Sequence, residues 1–354
     1  MSKFFSSKYA SLVPYVPGEQ PKEREYIKLN TNESPFTPSP LAISYAQQEV
    51  SKCYLYSDPD SKELTSTVAE YEGVKAQQVL MTNGSDEILN FAFMAYCDKD
   101  TPAVFPDITY GFYKVFAEIN NVPYRKIPLG EDFTINKEDY YDAKGTIFIA
   151  NPNAPTGINL SLKDIEDILI HNLDNVVVVD EAYVDFGGNS AVSLIEKYDN
   201  LLVTKTFSKS RSLAGARLGY GISNVKMITD LNSIKYSLNP YNVNRMTARA
   251  GIGSIKDDGY FKKNIQSIKE AREYTEQQLK QLGFSLTDSK ANFIFVKSDK
   301  ISGKELYEKL KQKGILVRHF NLERICEYNR VTIGSISQMQ KFIECVKEIL
   351  EEVQ

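Results

Sequence analysis

Leu201 to Gly221 reads LLVTKTFSKSRSLAGARLGYG, an apolar, β-branched run that turns abruptly into small hydroxyl residues around one lysine. The run Leu201-Leu202-Val203-Thr204 predicts a strand, and Ser208-Lys209-Ser210 a loop at its end. A lysine at a strand end is ordinarily just solvated. Here Arg217 follows eight residues later, Thr206, Ser208 and Ser210 supply hydroxyls, and Ala214-Gly215-Ala216 is small enough to let backbone approach a ligand. A second charged strand end lies upstream. Asn175-Val176-Val177-Val178-Val179 predicts a buried strand that ends in Asp180-Glu181-Ala182-Tyr183. Burying a carboxylate there is costly unless a cation or several donors meet it, so a structural ion pair and a ligand-facing acid both remain open.

Three earlier apolar runs follow the same plan. Val79-Leu80-Met81-Thr82 leads into Asn83-Gly84-Ser85-Asp86-Glu87, where a helix running to Tyr96 is predicted to start. Backbone N–H groups at such a helix end suit a phosphate, and capping by Ser85 or Asp86 would use the same groups without a ligand. Pro102 to Phe105 leads into Pro106-Asp107-Ile108-Thr109-Tyr110-Gly111, whose tyrosine is either core or a face for a flat ring. Gly145 to Ala150 leads into the turn-rich Asn151-Pro152-Asn153-Ala154-Pro155-Thr156-Gly157. Short apolar runs alternating with helical stretches predict an α/β fold with a mainly parallel sheet covered on both faces. The motifs around Ser85, Tyr110, Asn153, Asp180 and Lys209 then fall at strand carboxyl ends along one edge, where open sheets bind ligands.

The chain has 354 residues, enough for two domains, with 42% hydrophobic and 25% charged residues. Net charge is -4 and the basic residues are dispersed, so no electrostatic footprint for nucleic acid is present; Lys309, Lys311 and Lys313 read as one solvated helix face. No apolar run approaches the roughly 20 residues of a membrane span, and MSKFFSSKYASLVPY lacks a signal peptide's apolar core, so a cytoplasmic protein is expected. Cys53, Cys97, Cys326 and Cys345 lie far apart without a C-x-x-C pair, so neither a disulfide framework nor a metal site is expected. With only His171 and His319, histidine-based catalysis is disfavoured.

Residues 1–40, with LVPYVPGEQP and YIKLNTNESPF, read as an arm with turns. Tyr56 sits in the turn-like CYLYSDP before a helix over Lys62 to Tyr71. Downstream, YSLNPYNVN breaks the pattern before a long helix from Tyr260 to Leu282. The remainder reads as helix, strand, helix, strand and helix, with Arg318 and Arg330 at strand edges. An arginine fork suits a carboxylate or a phosphate.

The lysine loop, the N-P-N-A-P-T-G turn, the D-E-A-Y strand end and the P-Y-N-V-N phrase together resemble the aspartate-aminotransferase-like enzymes of fold type I that use pyridoxal phosphate. Among them the resemblance is greatest to the histidinol-phosphate aminotransferases, and it runs from PYVPGEQP to NRVTIGS. It implies an N-terminal arm (1–40), a large domain with a mainly parallel seven-stranded sheet (41–245) and a smaller α+β domain (246–354). It also implies that Lys209 holds the cofactor aldehyde as a Schiff base and moves the proton, that Asp180 pairs with the pyridine nitrogen, and that Tyr183 reaches the ring's 3′-oxygen. Tyr110 would cover the ring, and Gly84, Ser85, Asp86, Thr206, Ser208 and Arg217 would surround the phosphate. Many relatives have an asparagine where this chain has Ala154, so either Asn153 supplies that bond to the 3′-oxygen or Tyr183 carries it alone. Tyr56 would reach the phosphate of a partner in a homodimer, while Arg330, Arg318, Tyr15 and Asn32 would face the substrate. The implied reaction exchanges the amino group between L-histidinol phosphate and 2-oxoglutarate, giving imidazole acetol phosphate and L-glutamate, a step of histidine biosynthesis. An aromatic amino-acid aminotransferase and a threonine-phosphate decarboxylase are the rivals of similar sequence. A sensor without catalysis is the rival of another class.

Overall fold

The computed structural model describes residues 2–10, 12–21 and 23–353. Its first half contains β1 (Ile27–Lys28), α1 (Pro40–Glu49), α2 (Lys62–Glu72), β2 (Val79–Thr82), α3 (Ser85–Tyr96), β3 (Ala103–Pro106), α4 (Phe112–Ile119), β4 (Tyr124–Ile127), β5 (Thr146–Ala150) and α5 (Leu162–Ile170). There follow β6 (Val177–Asp180), β7 (Leu201–Thr206), β8 (Gly219–Ile222), α6 (Val225–Leu238), α7 (Arg245–Lys256) and α8 (Asp258–Gln281). The chain closes with β9 (Phe284–Leu286), β10 (Phe293–Ser298), α9 (Gly303–Gln312), β11 (Ile315–Leu316), β12 (Arg318–His319), β13 (Asn329–Thr332) and α10 (Ile336–Val353).

Seven strands form the large sheet in the order β2-β8-β7-β6-β5-β3-β4. Only β8 runs against its neighbours, so the other six share one direction and end along one edge. Successive side chains alternate between two cores. Ile147, Ile149, Val177, Val179, Leu201 and Val203 pack with α1, α2, α5 and α7 on one face. Phe148, Val178 and Leu202 pack with α3, α4 and α6 on the other. Burial on both faces is why these strands read as unbroken apolar runs, each fully buried Val or Leu being worth roughly 1.5–3 kcal/mol.

The same parity assigns the charged residues at the strand ends. Asp180 and Thr204, partners in register, follow Val178 and Leu202 onto the face of α3 and α4. Glu181 and Lys205 fall on the opposite face, where the Lys205 Nζ donates to both carboxylate oxygens of Glu72, at 3.0 and 2.9 Å, and lies 3.6 Å from Glu181.

A second sheet, β12-β13-β10-β9, is antiparallel throughout and shares a separate core with α8, α9 and α10. β1 pairs in parallel with β11, and the pairing continues from Leu29 N–H to the Leu316 carbonyl at 2.8 Å and from Thr332 N–H to the Leu29 carbonyl at 2.9 Å. The N-terminal segment is thereby sewn to the C-terminal unit and carries residues 30–33 to the edge of the large sheet. Ala250, Ile252 and Ile255 of α7 lie in the large sheet's core, whereas Ile265 of α8 is in the second. We therefore propose the domain boundary at Asp257 rather than at 245/246, because α7 is packed against α1.

Candidate active site

The carboxyl ends of β2, β5, β6 and β7 border a cavity of about 120 Å³ lined by Ser85, Asp86, Tyr110, Ala150, Ala154, Asp180, Ala182, Tyr183, Thr206, Ser208, Lys209 and Arg217. At one end Gly84 precedes α3 with φ +78°, and a β-carbon on it would come within 2.6 Å of the Arg217 Nη2. A glycine is needed there for both reasons. The start of α3 presents unsatisfied N–H groups, with Thr206 and Ser208 joined Oγ1 to Oγ at 3.0 Å beside it. Arg217, itself in the left-handed region at φ 54°, donates from Nη2 to Asp86 Oδ2 at 2.9 Å. Asp86 Oδ1 accepts the Tyr110 hydroxyl at 2.7 Å, so one carboxylate fixes both the guanidinium and the ring. Helix N-terminus, hydroxyls and arginine make this end suited to a phosphate.

At the other end Asp180 is only 4% exposed. Its Oδ2 accepts the Tyr113 hydroxyl at 3.1 Å, and its Oδ1 accepts the Ala182 N–H and the Thr204 hydroxyl, both at 3.3 Å. Burial pushes its carboxyl up to about 6, with the Tyr113 bond opposing and the Asp86 charge adding to the rise. Among the described residues no Lys or Arg forms an ion pair with it, which removes the structural ion pair as its explanation. A buried carboxylate without a counter-cation suits a ligand that brings a cationic N–H.

Lys209 lies between these ends. Its Nζ donates to the Thr31 carbonyl at 3.2 Å and sits 5.9 Å from the centre of the Tyr183 ring. The Tyr183 hydroxyl accepts from Asn32 Nδ2 at 2.9 Å, and Asn32, at φ 57°, is held in turn by Thr332 and by Asn292. Tyr110, Ala154, Tyr183 and Lys209 also line an adjoining cavity of about 430 Å³, which Tyr15, Asn32, Arg318 and Arg330 border on the far side. Tyr15 stacks on Phe112 with ring centroids 4.3 Å apart. Arg318 donates to the Val16 and Pro17 carbonyls, and Arg330 to the Asn30 carbonyl at 3.1 Å. Neither arginine meets a carboxylate among the described residues, the Arg330 Nε has no partner, and burial lowers the pKa of Arg330. Partly desolvated cations with open donors suit an anionic substrate.

Two of the expected residues stand apart. Asn153 does not line the cavity, where Ala154 takes its place. Its Nδ2 donates to the Ile108 carbonyl and to Thr156 Oγ1, both at 3.0 Å, and its Oδ1 accepts from Thr109 at 2.8 Å. Both amide hydrogens are spent on holding the turn, which leaves Asn153 no free N–H for the cavity. Tyr56 is 79% exposed, stacked on Tyr241 at 4.5 Å, and borders neither cavity within one chain. Tyr113, Thr204 and Thr31 were not foreseen. The signal for Tyr113 was its place one helical turn after Tyr110, at the start of a helix that follows a strand end.

Residues 24–346 match the family model described as aminotransferase class I and II. A histidinol-phosphate aminotransferase of Brachyspira hyodysenteriae is 48% identical over 353 residues, covering 99% of this chain and 100% of that one. The solved structure of histidinol-phosphate aminotransferase from Sinorhizobium meliloti in complex with pyridoxal-5′-phosphate superposes with a TM-score of 0.91 at 21% identity, covering 100% of this chain and 99% of the other. A mutant of Thermus thermophilus aspartate aminotransferase superposes at 0.84 with 16% identity, covering 98% and 100%. The fold is therefore that of the aspartate-aminotransferase-like proteins, a mostly parallel seven-stranded sheet joined to a smaller α+β unit.

Proposed function

The chain belongs to the aminotransferase class I and II family, and we propose that it exchanges the amino group between L-histidinol phosphate and 2-oxoglutarate. Pyridoxal phosphate, the cofactor of this family, supplies when bound a cationic ring that draws electrons from the substrate's amine-bearing carbon. The residues present fit it: a buried acid without a counter-cation, a lysine beside it and an anion cradle occupy one cavity. In this reading the start of α3, Thr206, Ser208 and Arg217 hold the phosphate, and Asp86 keeps Arg217 and Tyr110 in place. Asp180 meets the ring nitrogen and keeps its proton there. Tyr183, oriented by Asn32, donates to the 3′-oxygen. The Lys209 Nζ would hold the aldehyde and, as a free amine, would serve as the base for the proton on the substrate's amine-bearing carbon.

The observation that carries the reading is that Lys209 and Tyr183 line both the acid-bearing cavity and the arginine-bordered one, so amine chemistry and anion recognition meet at one lysine. Arg330 and Arg318 would receive the substrate phosphate in one half-reaction and the carboxylates of 2-oxoglutarate in the other. The full-length likeness to relatives of that name supports histidinol phosphate as the substrate within the family. A homodimer belongs to the same proposal: Tyr56 is exposed and remote from its own cavity, so it serves a cofactor only in a second copy. So does a cytoplasmic location, in keeping with four free cysteines.

Steady-state assays of the purified protein with 2-oxoglutarate test the substrate. Histidinol phosphate is expected to turn over much faster than phenylalanine or tyrosine, and comparable or reversed rates overturn the assignment. Borohydride reduction followed by peptide mapping is expected to place the cofactor's mass on Lys209, and a label elsewhere removes the role of that lysine.

A further inference from the structure

Tyr113 has no solvent exposure and its hydroxyl donates to the buried Asp180 carboxylate of the site. Its ring is wedged in place, edge-on to Tyr110 at 5.7 Å and 87°, and tilted against Phe105 and Phe148, both at 5.8 Å. Its backbone N–H donates to the Tyr110 carbonyl at 3.2 Å, so the two tyrosines form one turn. A carboxylate can only accept, which makes the phenol the donor. Oδ1 of Asp180 has two longer bonds, whereas the Tyr113 hydroxyl is the single donor on Oδ2 among the described residues and the shortest of the three.

Resting on the function proposed above, we infer that Tyr113 is a positioning residue: through its hydrogen bond to Oδ2 it holds Asp180 as an oriented, ionised carboxylate for the cofactor's ring nitrogen. The charged and titratable groups around Asp180 explain why such a donor is needed. Asp86 on α3 adds negative charge, Tyr110 and Tyr183 bring hydroxyls that bond to Asp86 and to Asn32, and Lys209 and Arg217 make their hydrogen bonds to the Thr31 carbonyl and to Asp86 rather than to Asp180. Burial and Asp86 both favour the neutral acid, and the Tyr113 bond is the largest influence opposing them. A protonated Asp180 would itself be a donor, the wrong polarity for a ring nitrogen that carries a proton. The Tyr113 phenol is pushed well above its ordinary range by burial and by Asp180, so it remains a donor throughout the working pH range.

Tyr113→Phe tests this in the full-length protein, since it keeps the wedged ring and removes only the hydroxyl. In the apoprotein, the Asp180 carboxyl, followed by carbon NMR and assigned by its absence in Asp180→Asn, is expected to titrate at higher pH, its proton affinity rising roughly tenfold. Thr204→Val, acting on the longer Oδ1 bond, is expected to shift it in the same direction by less. The dissociation constant of pyridoxal phosphate should rise about tenfold in Tyr113→Phe. An unmoved or lowered carboxyl titration overturns the inference, and so does weaker cofactor binding without that shift, which would mark a packing role only. If Tyr113→Phe does not fold, 3-fluorotyrosine incorporated at position 113 keeps the ring and makes its phenol a stronger donor, so the Asp180 titration is expected to move to lower pH, and an unmoved titration there overturns the inference. The apoprotein titration requires no cofactor, so wild-type protein that failed to bind pyridoxal phosphate would remove the functional reading and leave the role of Tyr113 separately decided.

Discussion

Replacing Asp180 by Asn should make the apoprotein more stable while abolishing its cofactor-dependent turnover. The carboxyl rises from its ordinary 3.8 to about 6 on folding, chiefly because burial penalises the charge. A group whose pKa is raised by folding contributes fully below its unfolded value and loses that contribution as pH rises through the folded one. At about 1.4 kcal/mol per tenfold change in proton affinity, the cost of keeping Asp180 ionised is about 3 kcal/mol above pH 6 and vanishes near pH 4. An amide removes that cost and can still accept from the Ala182 N–H and Thr204, but it turns an NH2 group towards the Tyr113 hydroxyl in place of a carboxyl oxygen, at a net cost of about 1 kcal/mol at either pH. Asp180→Asn is therefore expected to be about 2 kcal/mol more stable than wild type at pH 8, and equal or slightly less stable near pH 4. Urea denaturation of the two apoproteins at both pH values measures this, at one fixed protein concentration so that subunit association is common to both. A variant no more stable than wild type at pH 8, or an advantage that does not change with pH, refutes the reasoning. The predicted result has a plain meaning: this carboxylate is held in place at the expense of stability, as expected of a residue kept for chemistry.

Gly219→Ala should destabilise the protein by about 1–3 kcal/mol and weaken cofactor binding, because its β-carbon would lie 2.5 Å from the Gly84 carbonyl carbon and the Ser85 nitrogen, backbone atoms that cannot turn aside. Denaturation and equilibrium dialysis check both, and unchanged affinity would show that the start of α3 is not the cradle. Lys205→Met leaves Glu72 and Glu181 buried without their cation, and should cost about 3–5 kcal/mol in urea denaturation at pH 8. Wild-type stability there would mean that the carboxylates find other donors.

The strands and the edge they share were legible because period-two burial and polar strand ends are local properties. Asp180 and Lys209 stood out together: each follows an apolar run at a strand end, where either charge alone has an ordinary explanation and the pair points to one ligand. Tyr113 was not legible in the same way, since a tyrosine on the apolar side of α4 reads as core and only the fold brings it to β6. The surroundings of Asn153 were not legible, because its sequence position beside Ala154 says nothing of Thr109 and Ile108, whose approach engages its amide. Lys205 carried a signal that went unread. A lysine inside a buried strand, in step with Glu181 on the neighbouring strand, predicts an ion pair on the face opposite Asp180. The proposed shift of the domain boundary from 245/246 to Asp257 rests on α7, because an amphipathic helix does not declare in its sequence which of two cores it joins.

The sewing of the N-terminal segment to β11 and β13 also sets an order of events in time. Asn32 bonds Tyr183 across 151 residues of chain and Thr332 across 300. At the ribosome's pace of about 5–20 residues per second, on the order of 15–60 s separate the emergence of Asn32 from that of its last partner. Once Lys209 has emerged the large sheet can collect it with Asp180 on one edge, yet for the 123 residues up to Thr332, on the order of 6–25 s, the turn that orients Tyr183 and caps the lysine has nothing to hold it. Closure of this wall of the proposed site thus waits for the synthesis of β13, and a polypeptide released before it would carry the Lys209 amine without the residues that orient Tyr183.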